Sequence, residues 1–386
     1  MNRKLRMGMV GGGNDAFIGA IHRCAALMDN QIELVCGCFS IDPKIAVESG
    51  KSYFLPDDRI YTSYKEMIEK EAKLPDGLRM DFLTIVTPNI VHFEPAVMAL
   101  ENGFDVVVEK PMTFSLEEAK KLKEKVEKTG RTLALTHTYS GFPAVKEAKE
   151  RFAKGDFGNI RKIYVEYPQG WLSTRVELNP TSNAGWRTDP KRSGKAGCMG
   201  DIGTHAMHLS EYISGLKCTE MCADLSTFVP GRMLDDDGAA LLHFDNGATG
   251  VLMASQIAIG EENALKIRIY GDKGGIEWNQ QEPNTLLVKW PDRPAEVFRV
   301  GNGYMGDAAK ANTRTPGGHP EGYIEAFANI YRNFARTVAA KRDGVKPRPE
   351  WLDFPGVDDG VRGMQFIETV ITSGYEKDKK WIKWIE

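Results

Sequence analysis

Two short segments carry side chains that could move a proton on or off a hydroxyl group. The first is Glu-Lys-Pro at 109–111, and the second is Asp-Ile-Gly-Thr-His at 201–205. Histidine titrates near neutral pH and is therefore suited to act as a general base. A nearby ammonium group would stabilise the negative charge that develops on an oxygen as its proton leaves. These residue types point to acid–base chemistry at an oxygen atom.

A run of three glycines at 11–13 follows the apolar segment Leu5–Val10 and precedes a helical pattern that begins at Phe17. Glycines allow a tight turn and a close approach of the backbone to a diphosphate, and the helix start offers free N–H groups. The third position of such a fingerprint is either Ala16 or, with three inserted residues, Gly19. We favour Gly19 because it continues into the helix. A tight turn without a ligand is the alternative interpretation.

The end of the second predicted strand bears on the identity of the dinucleotide. An acidic residue there would hold the ribose hydroxyls of NAD. The sequence offers Ser40 at this place, and Asp42 is interpreted as the cap of a helix that begins at Pro43. A serine neither repels nor requires the additional phosphate of NADP, so both cofactors remain open.

Polar residues also follow two later strands. The predicted strand Phe82–Val86 ends in Thr-Pro-Asn at 87–89, and Val106–Val108 ends at Glu109. The carboxyl ends of parallel strands are where open α/β sheets place ligands. Purely structural roles are the alternative for this region. Asn89 could cap a helix, with His92 on the face of that helix, and Glu109 could stabilise the fold without contacting a ligand.

These motifs need a scaffold, and the chain predicts two domains. Residues 1–138 alternate strand and helix signals, which favours βαβ units and a parallel sheet. Residues 139–386 contain hairpin signals around 245–247 and 271–274, followed by two long helical stretches. We therefore predict an α/β dinucleotide-binding domain and an α+β domain with an antiparallel or mixed sheet.

The composition argues against several classes of protein. Of 386 residues, 50 are Lys or Arg and 53 are Asp or Glu, which gives a net charge of −3. A nucleic-acid-binding surface normally needs clustered basic residues, and no apolar stretch approaches the roughly 18 residues of a membrane span. The N-terminal residues lead into glycines rather than into the apolar core of a signal peptide. We expect a cytoplasmic protein, with no nucleic-acid or membrane partner, whose six cysteines are mostly buried thiols.

Together, the motifs resemble the Gfo/Idh/MocA family of oxidoreductases. The resemblance rests on the glycine turn, Thr-Pro-Asn-x-x-His at 87–92, Glu-Lys-Pro at 109–111 and Asp-x-Gly-x-His at 201–205, and it covers essentially the whole chain. Segments at 167–171, 186–190 and 318–322 are similar to a branch of sugar 3-dehydrogenases within the family. The resemblance implies an N-terminal Rossmann domain, a C-terminal domain with a largely antiparallel, open-faced sheet, and a homodimer or homotetramer.

The resemblance also implies roles for individual residues. Lys110 would orient the reacting hydroxyl, His205 would take its proton, and Asp201 would position the substrate and tune the proton transfer. The implied cofactor is NAD or NADP, with NAD slightly favoured. The expected cofactor contacts come from the glycine turn, the helix start and the strand ends: Gly11, Gly13, Phe17, Ile18, Ser40, Thr87, Asn89, His92, Glu109 and Lys110.

The second domain contains aromatic and polar residues suited to a sugar, since aromatic faces stack on the ring and polar groups bond its hydroxyls. The expected substrate contacts are Tyr139, Tyr167, Gln169, Trp171, Trp186, Arg187 and His319. The sequence departs from the family at His208, where an aspartate is common. In a regular helix, Asp201, His205 and His208 would share a face and could bind a metal. No fourth ligand is evident, so we expect no metal.

Three further segments receive only coarse interpretations. The aspartates at 235–237 precede a strand and are interpreted as a solvated loop. Residues 301–320 lack periodicity and are a substrate lid, an arm that embraces another subunit, or a plain mobile loop. The basic and aromatic tail at 379–384 is interpreted as a terminal element that packs its tryptophans.

The leading functional hypothesis is an NAD(P)-dependent dehydrogenase. It would act on a secondary hydroxyl of a cyclic sugar, anhydrosugar, glycoside or inositol. Two alternatives share the fold. One is redox-neutral cleavage of a glycoside with bound NAD, and the other is a non-catalytic, dinucleotide-sensing regulator.

Overall fold

The computed structural model describes residues 3–14, 16–179, 184–376, 378 and 380–386. The chain forms two compact units. The first is Met1–Thr136 with Phe327–Val361, and the second is His137–Ala326 with Arg362–Glu386. The predicted boundary after residue 138 lies close to the junction at 136. The sequence prediction placed all residues from 139 to 386 in the second domain. In the structure, residues 327–361 belong to the first unit.

The first unit is built on a parallel sheet of five short strands, most of them buried. The strands are β1 (Leu5–Gly11), β2 (Ile32–Cys38), β3 (Phe82–Val86), β4 (Asp105–Val108) and β5 (Leu133–Leu135). They lie in the order β2-β1-β3-β4-β5, and all four pairs are parallel. At the outer edge of β2, Ile60 forms a single parallel β-bridge to Gly37. This bridge is the remnant of a sixth strand. With that remnant counted, the order is that of a classical dinucleotide-binding sheet.

Helices connect these strands, as the alternating pattern predicts. They are α1 (Phe17–Met28), α2 (Pro43–Ser52), α3 (Tyr64–Lys73), α4 (Phe93–Glu101) and α5 (Leu116–Thr129). Asp42, Ser63 and Ser115 cap α2, α3 and α5 by accepting backbone N–H bonds. The cap proposed for Asp42 is therefore confirmed. The chain order reverses direction at β1, so β1 and β3 flank the switch point where such sheets bind ligands.

The second unit contains a sheet of nine strands. They are β6 (Ile160–Pro168), β7 (Cys218–Ser226), β8 (Asp237–Phe244), β9 (Thr249–Ser255), β10 (Lys266–Gly271), β11 (Gly275–Asn279), β12 (Thr285–Lys289), β13 (Glu296–Arg299) and β14 (Trp381–Lys383). Their order is β13-β12-β11-β10-β6-β9-β8-β7-β14. Only the central pair β6–β9 is parallel among these strands. The predicted fold class is confirmed, including the hairpins β8–β9 and β10–β11.

One face of this second sheet is covered and the other is open. Along β8 and β9 the residues alternate between buried and exposed, with Leu242 and Leu252 buried and Leu241 and Met253 about half exposed. The covered face carries the helices α6 (Pro143–Lys154) and α8 (Thr204–Ser214). Two short helices complete the unit: α7 (Pro190–Ser193) lies between β6 and β7 in the chain, and α9 (Asp307–Ala311) follows β13.

Two long helices close the chain, as predicted. They are α10 (Tyr323–Arg342) and α11 (Val357–Tyr375), and the chain changes unit within each of them. After them, β14 pairs with β7. Within the tail, Trp381 stacks on His243 and the indole N–H of Trp384 donates to the side-chain oxygen of Gln365. The interpretation of the tail as a packed terminal element is confirmed for its described residues, and Lys379 lies outside them.

The segment 301–320 is anchored inside the second unit. Glu147 and Glu150 of α6 accept the backbone N–H groups of Gly306 and Ala308 at the start of α9. Further along, the Glu321 carboxylate accepts the backbone N–H of Thr315 at 2.7 Å. The three interpretations of this segment stay untested, but its backbone is held by carboxylates at both ends.

The interpretation of residues 235–237 as a solvated loop is wrong for its first two members. Asp235 and Asp236 are buried. Asp236 accepts the backbone N–H groups of Phe228 and Val229 and lies 3.4 Å from a guanidinium nitrogen of Arg232. The backbone donors and the arginine compensate for the removal of these carboxylates from water.

All six cysteines are free thiols, and Cys36, Cys38, Cys198 and Cys218 are buried. Burial raises the pKa of Cys38 to about 11 and that of Cys218 to about 12, so these two stay protonated at neutral pH. Within the described part of the chain, no helix combines the length and the apolar composition needed to cross a membrane.

Candidate active site

The glycine turn after β1 has a backbone that only glycine accommodates well. Gly11 and Gly12 have φ angles of +78° and +71°. A Cβ atom on Gly11 would lie 2.3 Å from the carbonyl oxygen of Val86, and one on Gly19 would lie 2.4 Å from the Cα of Gly12. The turn therefore packs directly against the first turn of α1. This contact supports Gly19 as the third glycine of the fingerprint.

The start of α1 is suited to an anionic group. Ala16 occupies the N-cap and supplies no side-chain oxygen to the first-turn N–H groups. Phe17 is 72% exposed and Ile18 is half-buried, whereas Gly13 is buried and donates its N–H to the carbonyl of Phe39 at 3.2 Å. Uncapped N–H groups and the helix dipole together favour a phosphate at this position.

Beyond β2, Ser40 is half-buried and its hydroxyl accepts the backbone N–H of Asp42 at 3.1 Å. The Asp42 carboxylate is engaged in capping α2, where it accepts from Lys44 at 2.8 Å. The end of β2 thus presents a hydroxyl in place of the carboxylate found in many NAD-binding sheets.

The end of β3 combines an orphaned hydroxyl with a buried histidine. The Thr87 hydroxyl oxygen is buried and has no hydrogen-bond partner among the described residues. Its side chain lies beside the glycine turn, since a Cβ on Gly11 would lie 3.0 Å from its Cγ2. Asn89 is buried at the start of the turn that follows. A buried hydroxyl without a partner next to a glycine cradle is what a site built for a ligand would show.

His92 was predicted to contact the cofactor, and its ring lies between two backbone carbonyl groups. Its side chain is fully buried, with Nδ1 2.8 Å from the carbonyl oxygen of Pro111 and Nε2 2.8 Å from that of Thr87. Burial lowers the pKa of His92. His92 joins the loops that follow β3 and β4, and its contact with the cofactor stays a prediction.

Glu109 lies at the centre of a buried polar network. Its Oε1 atom is 2.7 Å from Nε2 of His22 and accepts the Thr136 hydroxyl at 2.8 Å, and its Oε2 atom accepts the backbone N–H of Lys110 at 3.1 Å. The other ring nitrogen of His22 is 2.6 Å from the hydroxyl of Tyr331. Burial alone would raise the pKa of Glu109. The hydrogen bond and charge of His22 and the charge of Lys110 outweigh burial and lower the pKa to about 2.

This network holds the backbone on which the half-buried Lys110 sits. Glu109 binds the N–H of Lys110, and His92 binds the carbonyl of Pro111. The loop that carries the lysine is therefore fixed on both sides of that residue. These bonds favour a structural role for Glu109, and its predicted contact with the cofactor stays a prediction.

In the second unit, Asp201 lies in a π-helical turn, Met199–Gly203, that leads into α8. The buried side chain of Gln256 donates to Oδ2 of Asp201 at 2.8 Å, and Nε of Arg187 lies 4.0 Å from the same oxygen. The start of this turn is held by Asp235, which accepts the N–H groups of Gly197 and Met199, each at 2.7 Å. A buried carboxylate thus fixes the turn that presents Asp201.

His205 lies in the first turn of α8 and is 7% exposed. Its ring centroid lies 4.9 Å from that of Tyr139 and 6.4 Å from that of Tyr167. Its Nδ1 atom is 3.3 Å from Nδ1 of His137. His208 stacks on His137 with a centroid distance of 4.2 Å. In the described chain, no three His, Cys, Asp or Glu side chains are grouped as a metal site, and the set of Asp201, His205 and His208 does not converge.

Several predicted substrate residues do come together. The hydroxyls of Tyr139 and Tyr167 contact each other, and Asn263 links both, since its Oδ1 accepts from Tyr167 at 2.6 Å and its Nδ2 donates to Tyr139 at 3.2 Å. Gln169 donates to Asn263 at 2.6 Å and accepts from the indole of Trp171 at 2.9 Å. We call these five residues the tyrosine–amide cluster. Burial raises the pKa of both tyrosines, which keeps them neutral hydroxyl donors.

The remaining predicted residues have separate positions. The Arg187 guanidinium lies 4.4 Å from the ring centroid of Trp186 and 6.0 Å from that of Trp171, which joins both tryptophans to Asp201 through the arginine. His319 is exposed, and its Nδ1 lies 3.3 Å from the carbonyl oxygen of Pro316 in its own loop. The substrate contact of His319 stays a prediction.

Sequence reasoning missed three residues of this region: His137, Gln256 and Asn263. Each contacts a predicted residue that is far away in sequence, with separations of 68, 55 and 96 positions for His205, Asp201 and Tyr167. None lies in a recognisable motif. The only local signal is that Gln256 and Asn263 are polar residues directly after a strand and in the turn that follows it.

Comparison with known proteins supports this description. Residues 5–137 match the family model described as an oxidoreductase family with an NAD-binding Rossmann fold, and residues 145–277 match the GFO/IDH/MocA C-terminal domain. The uncharacterized oxidoreductase YfiI of Bacillus subtilis is 33% identical over 99% of this chain and 98% of its own length. The chain belongs to the Gfo/Idh/MocA family.

Two further proteins that are similar to this chain have a named activity or named ligands. The levoglucosan dehydrogenase of Pseudarthrobacter phenanthrenivorans is 26% identical over 79% of this chain and 81% of that protein. The crystal structure of an inositol dehydrogenase homolog from Azotobacter vinelandii, complexed with NADH and myo-inositol, is 33% identical with a TM-score of 0.91. The similarity to it covers 100% of this chain and 98% of that chain. The predicted family, and with it the Rossmann type of the first domain, is confirmed.

The residues present fit a nicotinamide dinucleotide. The positive φ angles of Gly11 and Gly12, the uncapped start of α1 and the orphaned Thr87 hydroxyl lie together at the switch point of the parallel sheet. Glycine-lined backbone and helix N–H groups are the donors that a diphosphate requires.

Proposed function

We propose that this protein is an NAD(P)-dependent dehydrogenase. It transfers a hydride between the nicotinamide and a secondary hydroxyl of a cyclic sugar, anhydrosugar, glycoside or inositol. One observation carries the proposal. His205, a residue able to act as a base, lies beside the tyrosine–amide cluster and one helical turn after Asp201, in a chain with an NAD-binding Rossmann domain. Hydroxyls and amides beside aromatic rings are the groups that recognise a polyhydroxylated ring.

The chain's own residues divide the work. His205 accepts the proton of the reacting hydroxyl, and the Lys110 ammonium orients that hydroxyl and stabilises the charge on its oxygen. Asp201, held by Gln256 and the π-turn, positions the substrate. When bound, NAD(P) supplies the acceptor for the hydride. Gly11, Gly13, the start of α1 and Thr87 would hold it.

We propose NAD ahead of NADP as the cofactor. At the end of β2, the position of the missing acid is taken by Ser40, which offers a hydroxyl and no positive charge. NADP recognition commonly uses an arginine at this position. Ser40 therefore disfavours neither nucleotide strongly and gives the additional phosphate no cationic partner of its own.

We also propose a homodimer or homotetramer formed through the open face of the second sheet, where Leu241 and Met253 are about half exposed. Large apolar side chains exposed on one face of a sheet are typical of an association surface. A cytoplasmic location stays a prediction.

The test is an assay of purified protein with NAD and then NADP against sugars, anhydrosugars, glycosides and inositols, followed at the absorbance of the reduced nicotinamide. His205→Asn and Lys110→Met should each lower kcat by about 10²–10⁴-fold, because each removes proton transfer or charge stabilisation. The dissociation constant of the reduced cofactor should change by less than about threefold in His205→Asn, or roughly 0.7 kcal/mol. In Lys110→Met, cofactor binding should weaken far less than turnover falls.

Matched controls separate these roles from general damage. His243→Asn replaces a histidine that pairs with Glu220 on the open sheet, and Lys120→Met replaces an exposed lysine of α5. Both should keep wild-type turnover. Undiminished turnover in His205→Asn would contradict the assigned base. Sugar products without net reduced cofactor would favour redox-neutral cleavage, and cofactor binding without turnover would favour a sensor.

A further inference from the structure

Arg23 lies on the face of α1 that packs against the glycine turn. It follows Gly19 by four positions, so the two residues share one face of the helix. Helix side chains point back toward the start of their helix. The Arg23 guanidinium accordingly reaches the turn, where it donates to the carbonyl oxygen of Gly12 at 2.5 Å. Arg23 therefore contacts the same backbone that would hold a dinucleotide.

Two aromatic residues help to fix this contact. The Cζ atom of Arg23 lies 3.8 Å from the ring centroid of Tyr53, and the Tyr53 hydroxyl donates to the Gly12 carbonyl oxygen at 3.3 Å. At the other end of the same peptide unit, the Gly13 N–H donates to the carbonyl oxygen of Phe39 at 3.2 Å. The peptide between Gly12 and Gly13 is thus held at both ends, and a cation lies at one of them.

The charge of Arg23 is not balanced by the protein. The side chain is half-buried, and none of the described carboxylates pairs with its guanidinium. By contrast, Arg59 of the same unit pairs with Glu71 at 2.8 Å. Burial lowers the pKa of Arg23, but a guanidinium stays charged at neutral pH. A partly buried cation without a counter-ion is costly, so this position favours the binding of an anion nearby.

A bound dinucleotide would bring that negative charge. Its diphosphate is an anion, and the glycine turn with the uncapped start of α1 is suited to bind it. Charges within about 10 Å of each other at a partly buried position are screened only incompletely by water and salt. The guanidinium contacts the turn itself, so its charge adds to that of the helix dipole at the same place.

We propose that Arg23 is a cofactor-positioning residue that supplies positive charge for the diphosphate of NAD or NADP. This inference rests on the proposed function, because it concerns how the cofactor of that reaction is held. The diphosphate is common to both cofactors, so Arg23 should serve NADH and NADPH alike. Arg23 takes no part in proton transfer, so it affects the binding of the cofactor and not the chemical step.

Three substitutions separate the charge of Arg23 from its hydrogen bond. Arg23→Lys keeps a cation, Arg23→Gln keeps an N–H donor without the charge, and Arg23→Met keeps neither. In a fluorescence titration, the dissociation constant of NADH should rise about fivefold or more in Arg23→Gln and Arg23→Met, because the attraction of a unit charge is lost. In Arg23→Lys it should stay within about threefold of the wild-type value.

Ionic strength and the choice of cofactor identify the charge as the cause. In about 1 M salt the screening length falls to about 3 Å, so wild type and Arg23→Gln should bind NADH with similar affinity. At low salt, NADPH should be weakened by the same factor as NADH. Arg348→Met is the matched control, because this arginine is 69% exposed, and it should leave both affinities unchanged. Thermal unfolding of each variant shows whether it folds.

Three results would overturn the inference. Wild-type affinity for NADH in Arg23→Gln would show that the hydrogen bond to Gly12 suffices without the charge. Equal weakening in all three variants at every salt concentration would indicate packing against Tyr53. A loss confined to NADPH would assign Arg23 to the additional phosphate of that cofactor.

The proposed function is judged separately in the same experiment. If wild type reduces the cofactor in the presence of a sugar or polyol, the proposed function stands whatever the Arg23 variants show. If wild type binds neither NADH nor NADPH, the proposed function and the inference are both wrong.

Discussion

At the scale of single residues, Glu109 shows how a charge is maintained inside the fold. Its side chain is 13% exposed, yet its carboxylate faces the His22 imidazole, the Thr136 hydroxyl and the N–H of Lys110. These partners favour the ionised form and lower its pKa to about 2. The charge is part of what keeps the loop of Lys110 in place.

A pH dependence of stability follows from this carboxylate. Because the folded-state pKa is lower than the ordinary 4.5, the stabilisation is fully present above about pH 4.5 and is lost as the pH falls toward about 2. The difference between the two pKa values corresponds to about 3 kcal/mol of unfolding free energy, at roughly 1.36 kcal/mol per pKa unit. Glu109→Gln should cost about 3 kcal/mol near pH 7 and less than about half of that near pH 3.

Urea denaturation of wild type and variant at both pH values measures this difference. Glu117→Gln is the matched control, since Glu117 is exposed on α5 and pairs with Lys121. It should leave the unfolding curve nearly unchanged. If Glu109→Gln lowers the free energy of unfolding equally at both pH values, the charge of Glu109 contributes nothing to stability beyond the hydrogen bonds that a glutamine can also make.

The residue scale also shows what the sequence could and could not reveal. Lys110, Asp201 and His205 stand in short motifs at strand and helix ends, so the sequence marks them as candidates, and their roles stay predictions. The contact of His137 with His205 and the hydrogen bond between His22 and Tyr331 were not predictable, because the two pairs are separated by 68 and 309 positions. Contacts of this kind depend on how the chain closes on itself, and no local pattern marks them.

At the scale of elements, the packing of α1 against the turn after β1 explains the spacing of the glycines. A side chain at Gly19 would meet the backbone of Gly12, with its Cβ 2.4 Å from Cα and 2.6 Å from the carbonyl oxygen. Backbone atoms cannot move aside as a flexible side chain can. The irregular spacing of the fingerprint thus reflects a contact between a helix and a turn.

Gly19→Ala should therefore push α1 away from the glycine turn. We expect a loss of about 1–3 kcal/mol of stability, as for other overpacked sites, together with weaker binding of NADH. Thermal unfolding and fluorescence titration with NADH measure the two effects. Gly303→Ala is the control, because a Cβ there would meet nothing within 4 Å. Wild-type affinity in Gly19→Ala would contradict the role assigned to this contact.

Strands and hairpins were predictable because their apolar periodicity and turn residues are local. The π-turn at Met199–Gly203 was not, since its geometry depends on Asp235 accepting N–H bonds from Gly197 and Met199. The same missing information made 235–237 look solvated. A carboxylate is buried only when donors elsewhere in the chain satisfy it, and sequence alone does not show those donors.

At the scale of the whole molecule, the two fold classes were predictable and the path of the chain was not. The return of residues 327–361 to the first unit is invisible in the pattern of α10, because an amphipathic helix shows which face is apolar but not which sheet it covers. The family match over residues 5–137 and 145–277 gives both units their type.

The central claim is that a carbon-bound hydrogen of a cyclic sugar or polyol passes to the nicotinamide. The most direct measurement uses a substrate that gives turnover, deuterated at the carbon that is oxidised, with mass analysis of the recovered cofactor. We expect one deuterium in the reduced nicotinamide, formed about 10²–10⁴-fold more slowly with His205→Asn. Reduced cofactor without deuterium, or sugar conversion with no labelled cofactor at any time, would contradict this claim.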